Sequence, residues 1–108
     1  MISCHINEKA FYSTTGVEFR SLLGIKFCSI AIRNLESIKE EIGEVIEHSP
    51  LIHKLKGIAS SCGFIEAECL CKKLEGYGDI IKPNILIKTL DELIVLMLMA
   101  LKSNIEVI

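Results

Sequence analysis

The chain has 108 residues, 50% of them hydrophobic and 24% charged, which suits one globular domain with ample apolar material for a single core. Its net charge of -2 offers no basic excess, and this argues against nucleic acid or a membrane surface as a partner. The longest apolar run, LIVLMLMAL from Leu93 to Leu101, falls far short of the ~20 residues of a membrane span.

The N-terminus, MISCHINEKAF, has neither the basic start nor the apolar run of a signal peptide, so a cytoplasmic protein is expected. Five cysteines occur, an odd number whose spacings do not form a disulfide framework. Cys69-x-Cys71 is not the usual zinc pair spacing. His48 and His53 are not the i,i+4 pair of a metal helix. Reduced thiols packed as small apolar residues are expected, with no metal site and no bound cofactor.

In chain order, residues 1–16 read as a loosely structured N-terminal segment of a single domain spanning 1–108. An extra short helix is expected near Val17 to Leu23, punctuated by Gly16 and Gly24. Leu23, Phe27, Ile30, Ala31, Leu35, Ile38, Ile42 and Val45 then follow helical spacing in one stripe, with Gly43 as a stop. Ser49 fits the N-cap of the next helix with Pro50 at its first position. A start near Val45, kinked at Pro50, is the alternative. Gly63 suits the end of that helix.

A further helix is expected over Ile65 to Glu75. Its stripe is Ala67, Leu70, Cys71 and Leu74, and Glu68 and Lys72 form an i,i+4 pair outside it. GYGD reads as a loop. The last helix follows Pro83, with Asn84 as a cap, and runs to about Lys102. DIIKPNILI has strand-like composition but nothing to pair with. The fold class expected is all-α, an antiparallel four-helix bundle.

The stretch HKLKGIASSCGF, His53 to Phe64, is unusual within this frame. On a helical wheel Leu51, Leu55, Ile58, Ala59 and Cys62 share one side, while His53, Gly57, Ser60 and Ser61 share the other. A glycine inside a helix costs about 1 kcal/mol relative to alanine. Here the small residues leave an open strip beside the imidazole, against which another protein could bring a reacting group. Lys56, three residues on, is within reach of an anion attached to the ring.

HKLKGIASSCG resembles the signature of histidine-containing phosphotransfer (Hpt) domains, roughly H-x-L-K-G followed by a small residue and a later glycine. The likeness rests on His53, Leu55, Lys56, Gly57 and Gly63. Cys71, Leu74, Glu75 and Gly78 downstream, and Gly43-Glu44 upstream, support it. Phe64 is similar to the Gly-Phe of the chemotaxis-kinase version. Departures from the pattern are Ile58, where a small residue is usual, Pro50 close before His53, and Lys72, where chemotaxis kinases carry a second histidine.

The resemblance implies a relay module of a two-component phosphorelay. His53 would take and give a phosphoryl group at Nε2, Lys56 would neutralise it, and Glu75 would orient the imidazole. Lys54, Gly57, Ser60, Ser61 and Phe64 would form the docking strip for a receiver domain. The partners implied are response-regulator receivers or a histidine kinase, with a monomeric chain. Mg2+ would come from the receiver, since no carboxylate cluster lies near His53 in the sequence. An imidazole ordinarily titrates near about 6.5, so its nucleophilic neutral form is available at neutral pH. No nucleotide-binding glycine motif occurs, so self-phosphorylation is not expected. The competing readings are a helical adaptor or inhibitor that docks on receivers or kinases without carrying phosphate, and a piece of a larger hybrid kinase.

Overall fold

Among the described residues there are five helices and no strand, the four longer helices carrying apolar residues that recur every three or four positions. The computed structural model describes residues 4–77 and 80–106. The helices are α1 (Glu8–Thr15), α2 (Leu22–Glu41), α3 (Ser49–Cys62), α4 (Ile65–Tyr77) and α5 (Pro83–Glu106).

Side-chain contacts fix their directions. Asn104, near the end of α5, donates through Nδ2 to Phe19 O at 3.1 Å and lies 3.6 Å from Cys28 Sγ, near the start of α2. Glu75, near the end of α4, meets His53, near the start of α3. The backbone N–H of Asn7, before α1, donates to Gly63 O, after α3, at 2.8 Å. Phe11 of α1 packs edge-on against Phe19 and Phe27, at centroid distances of 5.2 and 6.2 Å. Helices α2 to α5 therefore form an antiparallel bundle, with α2 packed chiefly on α5 and α3 chiefly on α4. α1 closes the end where α2 begins and α3 stops.

The core is continuous. Leu35, Leu55, Leu90, Leu93, Ile94 and Met97 are fully buried, each contributing about 1.5–3 kcal/mol by leaving water. The apolar run of α5 is not buried all round, since Met99 stays exposed.

Several sequence expectations change. Residues 8–15 carry a helix, not a loose segment, because Asn7 Oδ1 accepts from Ala10 N at 2.9 Å as N-cap and Phe11 is fully buried. The short N-terminal helix is this one. Val17 to Ser21 turns instead, and the Ser21 side chain caps α2 through Gly24 N. α2 ends at Glu41, before Gly43. α3 begins one residue earlier than its Ser-Pro signal: His48 occupies the N-cap without a side-chain cap bond, its ring Nε2 lying 3.1 Å from Ile42 O. Pro50 falls in the first turn, where a missing N–H leaves no bond unmade, so it does not kink α3.

α4 extends through Gly76 to Tyr77, absorbing half of the expected GYGD loop. Gly78 lies outside the described residues. Pro83 opens α5, so Asn84 sits inside the first turn and does not cap it.

Candidate functional site

α3 is a ridge with two unlike slopes. Its inner side is buried at Leu51, Ile52, Leu55, Ala59 and Cys62, so the helical repeat turns His53 to the crest, with its side chain 73% exposed. On the α4 slope, burial of Cys71 and Leu74 places the next residue, Glu75, at the edge of the α3–α4 contact. Because the two helices are antiparallel, that edge lies beside the first turns of α3.

The Glu75 carboxylate bridges two groups of α3. Lys56 Nζ donates to its Oε1 at 2.6 Å, and His53 Nδ1 lies 3.4 Å from its Oε2. The lysine contact is short and charge-assisted, while the imidazole contact is longer than an ordinary hydrogen bond. A carboxylate only accepts, so this contact favours the tautomer with the proton on Nδ1. Nε2, on the far side of the ring, then carries the free lone pair. The Lys56 hydrogen bond, opposed by desolvation and assisted by His53, holds Glu75 below the usual carboxylate range. The Lys56 and Glu75 side chains are only 26% and 28% exposed.

On the other slope, toward α2, lies an open groove of about 520 Å³. Phe27, Ile30 and Ala31 of α2 form one wall, with Lys54, Gly57 and Ser61 of α3 on the other. A Cβ added at Gly57 would meet nothing within 4 Å, so no packing within this chain calls for a glycine there.

The structure brings His53, Lys56 and Glu75 together and places Lys54, Gly57 and Ser61 along the groove, with Ser60 half-buried between the slopes. Phe64 is corrected: it is 1% exposed and unavailable for docking. Gly63 adopts φ +78, and Phe64 N donates to Ala59 O at 2.9 Å while Gly63 N donates to Ser60 O at 3.4 Å. This Schellman turn reverses the chain, and the apolar side chain that follows it is buried in the core.

Two groove residues, Phe27 and Ile30, were assigned to the α2 core stripe by spacing, yet Ile30 is 56% exposed. The buried stripe is centred on Cys28, Ala31, Ile32, Leu35 and Ile38. The excess width of the apolar face in the sequence was the available signal for a surface.

All five cysteines are free thiols. Burial pushes Cys62 and Cys71 up to about 12, so both stay protonated. Among the described residues no group of three or more His, Cys, Asp or Glu side chains is placed to hold a metal ion, and no helix is long and apolar enough to cross a membrane. No protein-family model matches the chain, and no curated protein or solved structure matches it.

Proposed function

We propose that the protein is a histidine phosphotransfer module of a cytoplasmic phosphorelay, carrying a phosphoryl group on His53 Nε2. The observation that carries this reading is the crest of α3. An exposed imidazole has its Nδ1 turned to a carboxylate and a lysine one turn along the same helix, the arrangement expected of a nucleophile with an oriented ring and a nearby cation. The Hpt-like sequence around His53 adds to it.

In the forward step the Nε2 lone pair attacks the phosphorus of an aspartyl phosphate in line. The N–P bond forms, the P–O bond to the aspartyl carboxyl breaks, and its electron pair leaves with the carboxylate. Glu75 faces the Nδ1–H as positive charge develops on the ring. The groove between α2 and α3 supplies an apolar seat for the receiver, and Gly57 lets it approach the ring. The receiver's own Mg2+ would neutralise charge on the donor side.

The test is transfer from a panel of receiver domains, phosphorylated with acetyl phosphate, to the full chain. Acid-labile label on the wild type and none on His53→Gln supports the reading. Receiver binding that survives His53→Ala, with no phosphohistidine from any receiver, overturns it in favour of an adaptor.

A further inference from the structure

The Glu75 carboxylate is shared, and it is shared unequally. Lys56 lies 2.6 Å from Oε1, whereas His53 Nδ1 lies 3.4 Å from Oε2. The cation that would neutralise a phosphoryl group is therefore committed to the Nδ1 side of the ring, while the phosphoryl group would arrive at Nε2 on the opposite side. Resting on the phosphotransfer reading, we infer that Glu75 acts as a brake on the loaded state: it holds Lys56 in the empty protein, so that loading His53 makes the lysine change partners.

The charges give the sign. In the empty protein the carboxylate faces an ammonium and a neutral N–H, and both contacts are favourable. Transfer adds a phosphoryl group, which at neutral pH is a dianion, within the same side-chain cluster. Lys56 then has two anions to serve. If it turns to the phosphoryl group, Glu75 loses its closest partner; if it stays, the phosphoryl group lacks a counter-charge. Once the cationic ring has released its Nδ1 proton to solvent, to which His53 is exposed, the carboxylate also faces a nitrogen lone pair.

Each of these effects disfavours the loaded form relative to a site with Lys56 alone. Glu75 therefore acts in two opposed senses. As a positioning residue it presents Nε2 for attack and speeds arrival, and as a competitor for Lys56 it lowers the final occupancy. The result suits a carrier, which must release what it receives, and not a phosphate store.

The energetic scale is that of a partly exposed ion pair. Its loss and re-formation change an equilibrium by roughly two- to fivefold. A structural role for Glu75 would instead leave the position of the transfer equilibrium unchanged once folding is controlled for.

The experiment uses the full chain and its Glu75→Gln, Lys56→Gln and doubly substituted variants, each checked for helical content. Two donors are applied: a receiver domain phosphorylated with acetyl phosphate, and phosphoramidate, which needs no receiver. With the receiver, at about pH 8.5 and well above the ordinary imidazole range, Glu75→Gln is expected to slow loading yet raise the equilibrium ratio of phosphorylated to free His53 by roughly two- to fivefold. Lys56→Gln is expected to lower that ratio, and by more in the Glu75→Gln background, where the lysine has no competing partner.

With phosphoramidate, the 31P-detected second ionisation of the phosphoryl group is expected at lower pH in Glu75→Gln than in wild type. Adding Lys56→Gln should reverse most of that shift. An unchanged ratio in Glu75→Gln, or an equal effect of Lys56→Gln in both backgrounds, overturns the brake. If phosphoramidate loads His53 and no receiver does, the relay reading fails and the 31P arm alone decides the Lys56 exchange. Absence of label from both donors overturns the two together.

Discussion

Gly57 stands one helical turn after His53, and a Cβ built on it would touch nothing within 4 Å. The fold thus carries a helix-interior glycine that its own packing does not use. Gly57→Ala should keep the structure and raise unfolding stability by up to about 1 kcal/mol, measured by urea denaturation. Gly57→Leu should keep the fold too, yet slow transfer from a receiver by about tenfold or more by fencing off the ring. Gly63 gives the opposite contrast: at φ +78, with Asn7 O 2.5 Å from a built Cβ, Gly63→Ala should destabilise.

The groove of α2 and the charges of α4 lie on opposite slopes of α3, so they can be probed apart. Ile30→Glu alters an exposed apolar side chain and leaves the core intact. It should weaken receiver binding, read by calorimetry, by about tenfold, the order expected for losing a well-packed interface contact. Loading of His53 by phosphoramidate should not change. A parallel loss of both would show that the groove and the imidazole are not independent.

α1 is part of the folded unit. Phe11 is fully buried and packs edge-on against Phe19 and Phe27. Phe11→Ala should cost about 3–5 kcal/mol in urea unfolding, as for other buried aromatic truncations. A change below about 1 kcal/mol, within the range of ordinary surface substitutions, would show that α1 is dispensable.

The thiols should divide by environment. Cys69 is exposed, whereas Cys28, Cys62 and Cys71 are buried and shifted upward. In the native protein a maleimide should label Cys69 first and reach those three only on unfolding, as followed by mass spectrometry.

The pH dependence follows from Glu75. Its carboxyl is lowered in the folded protein, chiefly by Lys56. Its stabilising contribution is therefore complete above the unfolded carboxylate range, about 4.3, and is lost as pH falls through the lower folded value. The urea midpoint of wild type should exceed that of Glu75→Gln near about pH 7. The gap should close in acid below that range.

The long helices were legible because each buries a stripe at three-and-four spacing that dominates its composition. α1 was missed because Phe11 is its only buried residue, too few to make a stripe. Its caps, Asn7 and Gly16, were the readable signal. Burial of Phe64 was also hidden, since spacing ends where a helix ends and the direction of the next side chain is set by the left-handed turn at Gly63. At the candidate site, His53, Lys56 and Gly57 were recognisable from one helix. The nearness of Glu75 follows from the antiparallel register of α3 and α4, and its preference for Lys56 over the imidazole is a matter of side-chain geometry that no one-dimensional pattern encodes.

The two-sloped ridge has a further consequence for divergence. If recognition sits with Phe27 and Ile30 of α2 and reactivity with Lys56 of α3 and Glu75 of α4, the two sets share no helix. Substitutions along α2 could then retune which partner is chosen while the reacting groups stay in place, so that after gene duplication new wiring would need only a repainted wall of one groove.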